Sequence, residues 1–196
     1  GATPANAGAL GELENIQGVC GVKAFLGSST GTLLLDHEND ILAALKAGRR
    51  RMAVHSEDEA RLKERKSLAK EGDPRTHPFW RNVETARLST ERVLRLAKLA
   101  GRRLHVLHVT TAEELPLLAE ARDFATVETT PQHLTLAAPE CYERLGTYAQ
   151  MNPPIREARH RDALWQAVRE GLIDVIGSDH APHAREEKDK TYPNTP

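Results

Sequence analysis

Short apolar or β-branched runs alternate with longer amphipathic stretches along most of the 196 residues. A short run bounded by turn residues fits a strand, and apolar positions recurring every three or four residues fit one face of a helix. The first pattern predicts strands at Gly21–Leu26, Arg51–His55, Leu104–Val109, Ala125–Thr130, Tyr148–Met151 and Ile173–Ser178. The second predicts helices at Asp40–Ala47, Glu57–Lys70, Val83–Ala100, Ala112–Ala121, Pro139–Leu145 and Ala158–Glu170. Val93, Leu94, Leu96, Ala97 and Ala100 mark the inward stripe of the long central helix. Thr111 and Glu114 have the spacing of a capping box, and Gly48, Gly101 and Gly171 stand where helices should stop. The clearest non-helical break is EGDPRTHPF, Glu71 to Phe79, and neither an internal repeat nor a low-complexity segment is present.

Strand, turn and helix in repeated succession are the signature of βαβ units around a parallel sheet, so the expected class is α/β. Five or six such units suit either an open doubly wound sheet or part of a (β/α)8 barrel, and the strands alone do not separate the two. A complete barrel takes ~250 residues. The expectation is therefore one unit, residues 1–196, that is a barrel fragment.

Composition narrows the partner. The chain is 39% hydrophobic and 28% charged with a formal net charge of −1, and it has no long block of one sign. Such a balance suggests neither a nucleic-acid groove nor an anionic membrane surface, which leaves a small molecule as the expected ligand. No apolar run is long enough to span a bilayer, and the N-terminal residues lack the pattern of a signal peptide. Cys20 and Cys141 are far apart and show no CxxC spacing. The expected compartment is the cytoplasm.

Nine histidines make the strand ends the place to look for chemistry. In parallel β/α folds the reactive side chains collect at the C-terminal ends of strands. His55 closes RMAVH, His108 closes LHVLH, Asp179 closes DVIGSD, and Lys23 lies within GVKAFLGSSTG. A lysine buried in a strand is costly unless paired or chemically changed. Reaction of a neutral lysine with CO2 gives a carbamate, an anionic oxygen ligand able to bridge two metal ions. Two imidazoles, a carboxylate and a carbamate suit Zn2+ or a similar ion. Each residue alone has a structural reading; joint placement at successive strand ends points to a site. Period-two alternation predicts His105 and His108 on opposite faces, so only one of them can point inward. His37, His77 and His160 fall in loop or helix-start segments and are expected to be solvated, while His133 could either line the pocket or order a loop.

The motifs GVKAFLGSSTG, VHSED, LHVLHVTT, TPQHL, MNPPIR and IGSDHAPH occur in the order expected of a dihydroorotase of the amidohydrolase superfamily, and from Gly21 to about His183 the chain resembles that family. The resemblance implies a partial (β/α)8 TIM barrel, strands four to eight. It puts a carbamylated, metal-bridging Lys23, the metal ligands His55 and His108 and the catalytic Asp179, also a metal ligand, on the fourth, fifth, sixth and eighth strands. Substrate contacts fall on Asn152 of MNPP and on His183 of DHAPH; Ser56 replaces the commoner cysteine of His-Cys-Glu-Asp. Two zinc ions per complete site are implied, with Asp179 moving a proton between the attacking hydroxide and the leaving amide. The implied partners are a second copy of the chain or another enzyme of pyrimidine synthesis. The family's first strand carries a His-x-His pair, and this chain contains none. Fragmentary coverage accounts for that, and the piece alone is expected to be inactive. Allantoinase or hydantoinase activity, or a non-catalytic dihydroorotase-like scaffold, are the competing readings.

Overall fold

The computed structural model describes residues 1–29 and 33–196, so the Thr30–Gly31 end of the GSSTG motif lies outside the described residues. A short helix α1 (Leu10–Leu13) precedes strand β1 (Val22–Phe25). There follow α2 (Glu38–Lys46), β2 (Met52–His55), α3 (Glu59–Arg65), α4 (His77–Trp80), α5 (Val83–Ala100) and β3 (Leu104–Val106). The chain continues through α6 (Glu114–Glu120), β4 (Ala125–Thr129), α7 (Pro131–Thr135), α8 (Glu140–Leu145), α9 (Ala158–Arg169), β5 (Val175–Ile176) and α10 (Arg185–Lys188).

All five strands run parallel, in the order β1-β2-β3-β4-β5. That order decides between the two architectures left open by the pattern. A doubly wound sheet reverses its strand order at a switch point, whereas this one advances in one direction, as an arc of a barrel does.

Register sorts the side chains into two faces. Val22, Met52, Leu104 and Ala125 stand level with one another, and Ala24, Val54, Val106 and Val127 form a second row; all are at most 6% exposed. These rows lie in one core with Ile41, Leu45, Val93, Leu96, Ala97 and Leu118 of the helices. Between them runs Lys23, Ala53, His105 and Thr126, all only half-buried, on the opposite, concave face. The long helix α5 is anchored at both ends: Asn82 accepts a hydrogen bond from the Thr85 amide at 3.1 Å, and Gly101 closes the helix with φ +65°. The capping box also forms, with the Glu114 amide donating to Thr111 Oγ1 at 3.2 Å and the Thr111 hydroxyl donating to Glu114 Oε2 at 2.8 Å.

Two expected elements differ. Tyr148–Met151 is no strand: Gly146–Ala149 is a 3-10 turn, and the extended residues after it make no ladder. The Lys188 ammonium donates to the Gln150 carbonyl, and the Met151 carbonyl accepts from His77, so side chains take the places of strand partners. The break at Glu71–Phe79 contains a 3-10 turn at Pro74–Thr76 and then α4, because Asp73 caps the turn by accepting from the Arg75 amide and Pro74 and Pro78 occupy first-turn positions where no N–H is needed.

Candidate active site

The C-terminal ends of the strands open onto a cleft of about 620 Å³. Lys23, His55, His108, Asn152, Asp179 and His183 all line it, so the fold brings together every residue singled out at the strand ends and in the two downstream motifs. The backbone is strained at two of them. Among the described residues, His108 (φ +37°) and Asp179 (φ +46°) are the non-glycine residues with positive φ. L-residues avoid this region, and such strain persists where surrounding structure imposes it, often at functional sites. Here it turns the chain at the ends of β3 and β5 toward the same cleft.

His55 and His108 are both buried, and His55 Nδ1 faces His108 Nε2 at 3.1 Å. On its other side His55 Nε2 stands 3.0 Å from Glu57 Oε2. Glu57 is fully buried; burial alone would raise its carboxyl, but the Arg81 guanidinium and the His55 imidazole together hold it at about 2. It is therefore an anion that can only accept, so His55 donates through Nε2 and keeps a lone pair on Nδ1. That is how a carboxylate orients an imidazole for metal binding. His108 Nδ1 is buried with no hydrogen-bond partner, and burial beside His55 and His133 keeps this ring's pKa far below the ordinary range. A neutral imidazole carries a single hydrogen, and with that hydrogen on Nδ1 the Nε2 lone pair faces His55 Nδ1. Two imidazole nitrogens, each ~2.0–2.1 Å from one tetrahedral ion, stand roughly 3.3 Å apart, close to the spacing seen here. The pair fits part of a metal site; among the described residues no cluster of three or more His, Cys, Asp or Glu has metal-binding geometry.

Lys23 is less buried than a strand lysine in a closed core would be. Its ammonium sits 4.4 Å from the centre of the Phe25 ring, which stabilises the cation while the open side of the arc leaves it half-exposed. Asp179 is exposed at the lip, where partial desolvation raises its carboxyl above the ordinary range against the opposing pull of Lys23 and His55. Asp174, by contrast, is structural: it accepts from the Val127 amide and from Arg122, both at 2.8 Å. His180 is an exposed part of the cleft wall.

Three expectations for the other histidines fail. His105 bonds Thr126 at 2.9 Å and Glu128 at 3.2 Å on the concave face, yet His108 also reaches that side. Strand β3 ends at Val106, and the left-handed turn at His108 breaks the alternation on which the opposite-face reading rested. His77 and His160 are 1% and 0% exposed rather than solvated. The Ala112 amide donates to His160 Nδ1 at 3.0 Å, docking the start of α9 beside the turn that leads into α6. His37 is exposed as expected. His133 is a loop staple, bonded to Thr130 Oγ1 at 2.7 Å and to the Pro153 carbonyl at 3.2 Å. Glu57 was legible in principle, because residues two apart in extended chain share a face and it follows His55 at that spacing. Arg81 carried no such signal, since it lies 24 residues from Glu57 in the chain.

No family model matches the chain. It is 34% identical to a dihydroorotase of Halobacterium salinarum over 168 residues, covering 85% of this chain and 39% of that protein. An allantoinase of Streptomyces avermitilis is 35% identical over 193 residues, covering 93% and 42% respectively. In structure the chain superposes on the L-hydantoinase (dihydropyrimidinase) of Arthrobacter aurescens with a TM-score of 0.80 at 28% identity, over 88% of this chain and 40% of that one. The chain thus spans about two fifths of the length of the relatives it matches.

Proposed function

Since this chain is a dihydroorotase-like member of the amidohydrolase superfamily, we propose that the whole protein is a metal-dependent cyclic amide hydrolase that interconverts dihydroorotate and N-carbamoyl-L-aspartate in pyrimidine synthesis. The observation that carries this reading is the pair of strained strand ends: His108 and Asp179 turn into one cleft with Lys23 and His55. The chain supplies strands four to eight of the barrel, and the remaining strands belong to the rest of the protein.

His55, His108, Asp179 and a carbamylated Lys23 would hold divalent metal, with zinc the best match to the imidazole donors. When bound, the metal lowers the pKa of a water and polarises the ring amide carbonyl. Glu57 and Arg81 keep His55 in the tautomer that offers Nδ1. Asp179 takes a proton from the attacking water and returns it to the departing amide nitrogen. Asn152 and His183, which line the cleft, are the proposed substrate contacts, with His183 assigned to the substrate carboxylate. The proposed partners are a second copy or another enzyme of the pathway. Among the described residues no helix is long and apolar enough to cross a membrane.

Allantoinase or hydantoinase activity is the second reading, favoured by the allantoinase relative and by the hydantoinase superpositions. Assaying the full-length protein on dihydroorotate, allantoin and hydantoin separates them. The largest kcat/KM is expected on dihydroorotate; a larger value on either other ring overturns the substrate assignment, and no hydrolysis of any ring overturns the reaction class.

A further inference from the structure

His77 lies outside the proposed catalytic set, yet it is buried directly behind the cleft wall. Its Nε2 is 3.1 Å from the Met151 carbonyl oxygen and 3.1 Å from Asn152 Oδ1; its Nδ1 is 3.4 Å from the Tyr192 hydroxyl. The Met151 carbonyl can only accept, so Nε2 must carry the hydrogen. Nδ1 then holds a lone pair toward Tyr192, whose hydroxyl donates. The same logic fixes the neighbouring amide. An N–H pointing at Asn152 requires an acceptor there, so the Asn152 oxygen faces His77 and its NH2 group is turned away from it.

We propose that His77 is a positioning residue that locks the Asn152 amide with its NH2 group offered to the cleft, so that this wall selects substrates presenting a carbonyl or carboxylate oxygen and disfavours those presenting an N–H. The assignment rests on the reading of the cleft as the active site. Supporting it, no protein group among the described residues accepts from Asn152 Nδ2, while Asn152 is half-buried on the cleft wall. The ring is also held rigidly, with Trp80 and Tyr192 packed edge-on at 5.8 and 5.6 Å between centres. Burial, reinforced by the nearby Arg81 cation, lowers the His77 pKa to about 3, so the ring stays neutral and takes no part in proton transfer at neutral pH. A buried neutral imidazole with a fixed N–H is suited to setting an amide's orientation and unsuited to acid-base work.

The test uses the full-length protein with His77→Leu, which removes the N–H, and His77→Gln, which retains a donor. Loss of orientation in Asn152 weakens substrate binding, so His77→Leu is expected to raise KM for dihydroorotate about tenfold with kcat within about threefold, and His77→Gln to recover most of that loss. An unchanged KM in folded His77→Leu, or an equal loss in both variants, overturns the proposal. A second measurement does not depend on turnover or on the variants folding. Nitrogen-15 NMR of the wild-type protein is expected to find His77 protonated at Nε2 alone from about pH 5 to 8; a hydrogen on Nδ1 overturns the positioning role. If the protein hydrolyses none of the cyclic amides while the Nε2 tautomer is observed, the functional reading fails and the amide orientation stands.

Discussion

The two faces of the sheet are built from the same short strands and do opposite work. On the convex face Val22, Ala24, Met52, Val54, Leu104, Val106, Ala125 and Val127 are closed off from water by helices. On the concave face Lys23, His105, Thr126 and Glu128 stand at alternating positions of the same strands, hydrogen-bonded or half-exposed, below the cleft that holds His55, His108 and Asp179. Apolar burial scales with area and tolerates approximate chemistry, so the convex face can secure the fold without specifying a reaction. The concave face needs particular donors and acceptors in particular tautomers, which carries a cost in desolvation and backbone strain. Stability and chemistry are thereby separated by a period of two residues.

That separation can be broken from either side. The largest effect is expected from Asp179→Asn in the full-length protein: a loss of at least about a thousandfold in kcat, with the melting temperature essentially unchanged because the carboxylate is exposed. Steady-state assay and thermal melting check it, and turnover within about tenfold of wild type would remove Asp179 from the proton-transfer role. On the convex face Leu104→Ala should do the reverse, costing about 2–5 kcal/mol in chemical denaturation while the folded fraction keeps its activity. A large change in specific activity would show that the two faces are coupled.

Acid should act on the buried polar groups rather than on the apolar face. Burial lowers His133 to about 4 and, with Arg81, His77 to about 3, whereas both titrate near 6.5 in the unfolded chain. The unfolded state therefore takes up protons first, so their stabilising contribution is complete above about pH 6.5 and is lost progressively as pH falls toward 4 and 3. Glu57, held at about 2 against 4.5 unfolded, adds a second loss in the window below about pH 4.5. Melting curves from pH 7 to 3 should fall through both windows, and His133→Asn should flatten the upper one. The smallest effect is expected from His37→Ala, within about 0.5 kcal/mol, since this exposed histidine belongs to neither face.

The periodic segments were the legible part of the fold. Val83–Ala100 agrees to the residue with its expected helix because an amphipathic stripe, an asparagine cap and a closing glycine act together. Strands β1 to β4 emerge where apolar alternation places them, shortened by one to three residues at their ends. Tyr148–Met151 misled because an apolar stretch is no guarantee of a ladder partner. The His105–His108 pair misled because alternation holds only while the strand lasts, and a positive φ at His108 ended it. His77 and His160 misled for the converse reason: helix-start segments are usually wet, and tertiary packing buried these two.

By itself the sequence determined the α/β class, the order of the elements and the presence of Lys23 within the first strand and of His55, His108 and Asp179 at or just past strand ends, because periodicity and local caps act over a few residues. Only the tertiary structure decided that the sheet advances in one direction as a barrel arc, that Glu57 and Arg81 set the tautomer of His55, and that His77 stands behind Asn152. Those facts depend on partners 24 and 75 residues apart for the Glu57–Arg81 and His77–Asn152 pairs. No local pattern encodes such pairings; they arise when the helices close over the convex face and fix where each strand ends.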